Sequence, residues 1–225
     1  MSKNSKNLVV VLAKAPGVGQ VKTRLGADIG AAKACRIYRS LADEVWVGLL
    51  KARTSLGFSA WLAYDPSDPS DPSDPPDPPV AQVEMEAWLP GADAYLPQQP
   101  GDLGDRIRRA FQAGFEAGFT TVLITGTDTP DVASKHYETA FEKAEHGLAV
   151  LGPSEDGGFY LLALHGEGID LHSLFADIPW SCSTTRAILH RNASGLGLGW
   201  VELEPLSDVD TLQDLRRVRP GLLAP

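Results

Sequence analysis

Cysteine is scarce: the 225 residues hold two, Cys35 and Cys182, on unrelated segments and without CxxC spacing. That excludes a disulfide framework and a thiolate zinc site, and both are expected to pack as small hydrophobes. The five histidines, His136, His146, His165, His172 and His190, show no metal-ligand spacing. No serine stands in a GxSxG elbow, so covalent hydrolase chemistry lacks its nucleophile. Long apolar runs are missing as well. The opening MSKNSKN leads into six apolar residues, Leu8 to Ala13, and then Lys14. That run is too short for a signal peptide or a membrane span, so the expectation is a cytoplasmic protein with no membrane span. Positive charge is in deficit, 20 Lys and Arg against 29 Asp and Glu, for a net charge of -9. A broad basic surface for nucleic acid is therefore absent, although a local basic pocket for one small anion is compatible with an acidic protein.

What is present begins at Leu8 to Leu25, LVVVLAKAPGVGQVKTRL. A buried strand, Leu8 to Leu12, empties into a loop with Ala13, Ala15, Pro16, Gly17 and Gly19 and the basic residues Lys14, Lys22 and Arg24. In open α/β sheets ligands collect where strands end, and a glycine-rich cationic loop there suits a phosphate. Two well-known phosphate loops fail on inspection. A Walker loop needs glycine before its lysine, where Val21 stands, and a dinucleotide fingerprint needs a third glycine where Lys22 stands. What remains is a clasp of backbone amides, two lysines and an arginine fork for a diphosphate, or else a solvated basic turn.

The rest of the chain alternates strand and helix. Ala31 to Ala52 has apolar residues at steps of three and four and reads as a helix, with a strand at Phe58 to Tyr64. The repeat DPSDPSDPSDPPDPP, Asp65 to Pro79, excludes helix and central strand and reads as an exposed insertion without the ligand pattern of a calcium loop. Val83 to Leu89 is expected to form a short strand. A helix from Asp102 as N-cap, strands at Thr121 to Thr125 and Leu148 to Leu151, a helix at Ser134 to Glu145 and a strand at Phe159 to Leu164 follow. Short helices at Asp170 to Phe175 and Thr184 to Ala193, a strand at Trp200 to Leu203 and a helix at Thr211 to Val218 complete the pattern. The alternation implies one α/β domain over residues 1–225, with a mostly parallel sheet covered by helices on both faces.

Acidic residues at strand ends supply the second half of a site. Asp128 follows TVLITG, where a carboxylate fits a divalent cation facing a diphosphate or caps the turn before Pro130. Glu155 and Asp156 precede Gly157 and Gly158, and Asp208 and Asp210 stand in SDVDTLQDL. Such carboxylates can hold a metal or act as a base toward a hydroxyl, while Asp210 with Gln213 also makes a good capping box.

Six motifs in order, AKAPGVGQVKTRL, PGDLGDR, LITGTDTP, LGPSEDGGFYLLAL, IPWSCSTT and SDVDTLQDL, are identified with a known family. Together they resemble the bacterial selenodomain-associated (DUF2064-like) transferases, from Leu8 to about Val218. These are related to glycosyltransferases and to molybdenum-cofactor and phospholactate nucleotidyltransferases. The resemblance implies the nucleotide-diphospho-sugar transferase fold, a GT-A-like α/β/α sandwich. It implies that Ala13 to Arg24, including Thr23, binds nucleotide phosphates, with Asp105 and Thr127 joining that set. Asp128 matches the metal aspartate, and Asp210, beside Asp208, matches a second one in a VDT sequence. Under this resemblance the protein is a metal-dependent glycosyltransferase using a nucleoside diphosphate-sugar and Mg2+ or Mn2+. Lys22 and Arg24 neutralise the diphosphate, Asp156 serves the acceptor hydroxyl, and Glu155, Gly157, Gly158 and Trp180 line the acceptor side. The alternatives are a nucleotidyltransferase that releases pyrophosphate and a nucleotide-binding module without turnover. The partners are thus a nucleotide or nucleotide-sugar donor and a small-molecule acceptor of unspecified identity.

Overall fold

Strand β1, Asn7–Lys14, sits inside the sheet because its side chains are apolar on both faces. Leu8, Val9, Val10 and Val11 are all fully buried, as a strand covered on both sides requires. The computed structural model describes residues 6–65, 78–180 and 182–223. It is built from β1, α1 (Thr23–Ile29), α2 (Ala31–Leu56), β2 (Ser59–Asp65), α3 (Pro78–Trp88), β3 (Ala94–Pro97), α4 (Leu103–Glu116) and β4 (Thr121–Thr125). The second half adds α5 (Ser134–Glu145), β5 (Leu148–Pro153), β6 (Phe159–His165), α6 (Leu171–Leu174), α7 (Thr185–Gly195), β7 (Gly199–Glu202) and α8 (Leu212–Val218).

The seven strands form one sheet in the order β3-β2-β1-β4-β6-β5-β7. It is mostly parallel; β6 runs antiparallel to both β4 and β5, because the turn after Pro153 returns the chain as a hairpin. Alternate side chains divide the core between the faces. Val9, Val11, Leu62 and Leu123 pack with Trp46 and Leu49 of α2, Met85 of α3 and Tyr137 and Phe141 of α5. Leu8, Val10, Val122 and Ile124 pack with Ile107 and Phe111 of α4, Leu174 of α6 and Leu189 of α7. The chain moves outward from β1 to β2 and β3, then crosses to β4 on β1's other side. The crevice between the carboxyl ends of β1 and β4 is thus a topological switch point, where sheets of this kind bind ligands.

Several expectations need correction. Val83 to Leu89 is helical: Ala81, Met85 and Leu89 are buried at steps of four while Val83 is 64 % exposed. The apolar alternation there imitated a strand, and the prolines Pro78 and Pro79 sit in the first turn, where helices tolerate them. The Asp-Pro segment lies outside the described residues except at its ends, where Asp65 closes β2 and Pro78 and Pro79 open α3. Helix α8 is capped by Thr211 with Asp214, each side chain bonding the other's backbone, and not by Asp210 with Gln213. Cys35 is buried as expected, but Cys182 is exposed.

Candidate active site

Beyond the carboxyl ends of β1 and β4 lies a cavity of about 670 Å³. Its first wall begins where β1 ends. The Tyr38 hydroxyl donates to Lys14 O and accepts from Lys14 N, both at 2.9 Å, fixing where the strand gives way to the loop. Burial, with Asp128 nearby, raises the Tyr38 hydroxyl to about 12, so it stays a donor. Val21 then packs with Cys35, Tyr38 and Trp88, which turns the chain back toward the cavity. Lys22 follows in the left-handed conformation, φ 49 and ψ 46, at the start of α1. A lysine adopts that conformation at a cost of roughly 1–2 kcal/mol, so its surroundings must hold it there.

They hold it by charge. Lys22 Nζ lies 2.7 Å from Asp128 Oδ1 and 2.8 Å from Asp210 Oδ1, with the lysine side chain 3 % exposed. Burial acts to lower the lysine's pKa, but the two carboxylates outweigh it and hold it above its ordinary value. The Asp210 contact is a hydrogen bond. The contact with the buried Asp128 Oδ1 is a short ion pair. Arg24 reaches Asp210 loosely, at 3.8 Å, from an exposed position.

The carboxylates are carried by backbone bonds between three strand ends. Asp128 follows β4 among buried Thr125, Thr127 and Thr129, and its carbonyl accepts from Val209 N at 3.0 Å. Leu206 N donates to Pro153 O, tying the segment with Asp208 and Asp210 to the end of β5. Burial, followed by the neighbouring Asp156 and Asp210, pushes the Asp208 carboxyl up to about 6. Asp156 lines the cavity while its Oδ1 accepts from Gly158 N at 2.9 Å, which shapes the hairpin turn. Gly157 has φ 92, and a Cβ there would lie 2.6 Å from Ser183 Cα.

The expected residues divide on this geometry. Ala13, Lys14, Lys22, Thr23, Arg24, Thr127, Asp128, Asp156, Gly158, Trp180, Asp208 and Asp210 all line the cavity. Ala15, Pro16, Gly17, Asp105, Glu155 and Gly157 do not. Asp105 lies in the capped first turn of α4, its N–H bonded to Asp102, and ion-pairs with Arg108. Glu155 turns away to Arg217 at 2.5 Å and accepts from Ser207 Oγ at 2.8 Å, and these partners hold its carboxyl below the usual range. Trp180 both walls the cavity and joins the core, against Phe159 and Phe175 at 6.5 and 6.2 Å between ring centres.

Sequence reasoning missed the opposite end of the cavity. Arg106 there pairs with Asp65 at 2.6 Å and approaches Gln98 Oε1 at 3.3 Å. Gln98 Nε2 in turn donates to Ala13 O and Ala63 O. Arg106 lay in PGDLGDR, one residue from Asp105, and helical phase decides between them: Arg106 shares Ile107's side and Asp105 does not. Gln98 and Tyr38 carried no motif.

The acidic donors are oxygens only, Asp128, Asp208 and Asp210, which suits a hard divalent cation such as Mg2+ or Mn2+. Among the described residues no three His, Cys, Asp or Glu side chains are grouped to hold a metal unaided. A cation here would be held by one or two of these aspartates, with water and phosphate oxygens completing its shell.

This fold and this cavity define an enzyme of the transferase class, with the nucleotide-diphospho-sugar transferase fold. The chain belongs to the family described as uncharacterized proteins conserved in bacteria (DUF2064), which matches residues 49–182. A candidate nucleotide-diphospho-sugar transferase from Desulfovibrio desulfuricans G20 is 28% identical, with 96% of this chain and 88% of that chain covered and a TM-score of 0.83. A nucleotidyl transfer enzyme from Methanothermobacter is 18% identical over 98% of this chain and 99% of its own, with a TM-score of 0.56. A cytidylyltransferase from Leptospira borgpetersenii is 11% identical over 96% and 86%, with a TM-score of 0.55. The latter two establish a common fold and nothing finer. No curated protein matches the chain. Among the described residues no helix is long and apolar enough to cross a membrane.

Proposed function

We propose that the protein is a metal-dependent glycosyltransferase that takes its sugar from a nucleoside diphosphate donor. The observation that carries this reading is the convergence of Lys22, Asp128 and Asp210 at the mouth of the β1/β4 crevice. Phosphate oxygens need fixed positive charge as the bond to the sugar breaks, since charge then builds on the leaving diphosphate. Lys22 and Arg24 supply it from the loop after β1, with the backbone at Ala13, Lys14 and Gln20 to Arg24 as the phosphate floor. Asp128 and Asp210 are the residues that would hold Mg2+ or Mn2+, with Asp208 beside them. When bound, that ion neutralises the diphosphate as a Lewis acid. Asp156, on the hairpin after β5, orients the acceptor hydroxyl and accepts its proton. Thr127, which lines the cavity beside Asp128, belongs to the nucleotide-binding set.

Nucleotidyl transfer is the second reading, and one observation favours it. Asp210 stands in a VDT sequence and meets Asp128 through a shared cation position, the pairing that the resemblance to nucleotidyltransferases implies. The products separate the two. Purified protein is incubated with Mn2+ and either UDP- or GDP-sugars or the four nucleoside triphosphates, together with an acceptor library. Release of a nucleoside diphosphate supports glycosyl transfer; release of pyrophosphate replaces it with the second reading. Nucleotide affinity without turnover in either arm leaves a binding module.

A further inference from the structure

The charges around the cavity are sorted by origin. Its cationic side chains, Lys14, Lys22, Arg24 and Arg106, all come from the chain before β4. From β4 onward the charged residues lining it are all aspartates: Asp128, Asp156, Asp208 and Asp210. Lys22 is engaged with Asp128 and Asp210. Among the described residues no ion pair reaches Asp156 or Asp208.

Next to those two carboxylates stands an aromatic wall. Phe159 begins β6 three residues after Asp156 and meets the Trp180 ring edge to face. Trp180 is held from behind by Phe175 and by α4. At Gly104 a Cβ would fall 2.2 Å from the indole Nε1, so the ring rests against helix backbone that only glycine leaves open. Leu103 and Ile107 of α4 extend the apolar surface into the same cavity, and Leu103 is 42 % exposed. An indole locked on three sides offers a flat face at little entropic cost.

Resting on the transferase reading above, we propose that the acceptor is an uncharged or cationic hydroxyl compound with a ring or comparable apolar face. Its apolar face stacks on Trp180 and Phe159, and any positive group faces Asp156 and Asp208. Carboxylate- and phosphate-bearing acceptors are rejected, because among the described residues the chain from β4 onward lines the cavity with no cation, and Asp156 and Asp208, which no ion pair reaches, repel them. One divalent cation on Asp128 and Asp210 leaves that balance unchanged in sign. Anions belong to the opposite end, where the donor's phosphates meet the lysines and arginines.

Three phenols with one ring and different charge test this: tyramine, tyrosol and 4-hydroxyphenylacetate, titrated by calorimetry into the full chain, alone and with Mn2+ and UDP or GDP. Tyramine and tyrosol are expected to bind at least tenfold more tightly than 4-hydroxyphenylacetate. Trp180→Ala weakens both by about tenfold. Asp156→Asn, whose Oδ1 still accepts from Gly158 N, narrows the gap between tyramine and 4-hydroxyphenylacetate. Equal affinity for all three, preference for the carboxylate, or no binding of any of them overturns the proposal. The transferase reading fails separately, if neither nucleotide with Mn2+ raises the melting temperature, and the order of the three phenols on the protein alone is read independently of that result.

Discussion

Lys22 Nζ lies 2.7 Å from Asp128 Oδ1 and 2.8 Å from Asp210 Oδ1, one ammonium between two carboxylates. On the proposed function, a divalent cation held by these aspartates would compete with the lysine for the same oxygens. Removing the ammonium with Lys22→Met leaves two facing carboxylates uncompensated. A fully buried pair broken this way costs about 3–5 kcal/mol, but Asp128 and Asp210 are 45% and 39% exposed, so solvent reduces the loss to roughly 1–2 kcal/mol. Mn2+ then replaces the lost charge, and binding to the native state restores stability by mass action. The expected result is a lower melting temperature for Lys22→Met, with a larger upward shift on adding Mn2+ than in the wild type. Equal shifts in both proteins would remove the competition.

Gly104 and Trp180 give a prediction of opposite sign to helix propensity. Gly→Ala inside a helix normally gains up to about 1 kcal/mol. Gly48 in α2 has open space where a Cβ would go, so Gly48→Ala is expected to stabilise by up to that amount. Gly104→Ala drives a methyl into the Trp180 indole, and overpacking of that kind costs about 1–3 kcal/mol. Thermal melts of the two variants should move in opposite directions, with changed tryptophan fluorescence only for Gly104→Ala.

Much of this was legible from sequence where one physical signal dominated. TVLIT is a strand at Thr121–Thr125 and SKHYETAFEKAE a helix at Ser134–Glu145, both at the expected bounds, because each carries an unmixed periodicity. Asp102 caps α4 as its sequence suggests. The expectation failed where two signals overlapped. Val83, Met85 and Leu89 fit a period of two while Ala81, Met85 and Leu89 fit a period of four, and only the burial of the second set decides. α1 is short and starts at a left-handed lysine, and β3 is a four-residue edge strand, so neither had room for a period. In the candidate site, Asp128 was legible as a carboxylate after a buried strand, whereas Asp210 read from the residues as a cap or a metal-holding carboxylate and was singled out only by the resemblance of its VDT sequence. Their meeting through Lys22 was not legible, since it requires Thr211 and Asp214 to take over the cap and leave Asp210 free for the cavity. Glu155 and Asp156 are adjacent in sequence yet face different partners, which a one-dimensional motif does not resolve.

Acid should weaken the short helix that leads to the aromatic wall. Asp170 accepts from Ser173 Oγ at 2.7 Å, from His172 N at 3.0 Å and from Ser173 N at 3.1 Å. These donors, the Ser173 hydroxyl foremost, hold its carboxyl below the ordinary value. A folded-state pKa below the unfolded one means that the unfolded chain binds the proton first. The cap's contribution is thus present above the ordinary aspartate pKa of about 3.9 and fades as pH falls through the folded value. Asp170→Ala is expected to lower the melting temperature most near neutral pH, with the difference from wild type closing as the solution is acidified toward about pH 3. A difference that stays constant across that range would show that the charge of the cap is irrelevant.

The contact between Glu155 and Arg217 joins the β5–β6 turn to α8 across the segment that holds Asp208 and Asp210. Both side chains are about half exposed, 49% and 51%, so solvent screens the pair and it adds little to global stability. Its effect is on position. The turn carries Asp156, the segment carries Asp208, and besides this pair they are linked by Ser207 Oγ to Glu155, by Leu206 N to Pro153 O and by the bridge between Ser154 and Leu206. Arg217→Ala should therefore leave the melting temperature nearly unchanged while loosening the turn locally. Hydrogen exchange read by mass spectrometry is expected to quicken in peptides covering residues 154–160 and 206–211 and nowhere in the core strands, and Arg217→Lys should recover part of the protection. Unchanged exchange in both peptides would mean that the backbone bonds and the Ser207–Glu155 bond fix Asp156 against Asp208 without Arg217. Faster exchange throughout the sheet would mean that the pair supports the whole fold, contrary to its exposure.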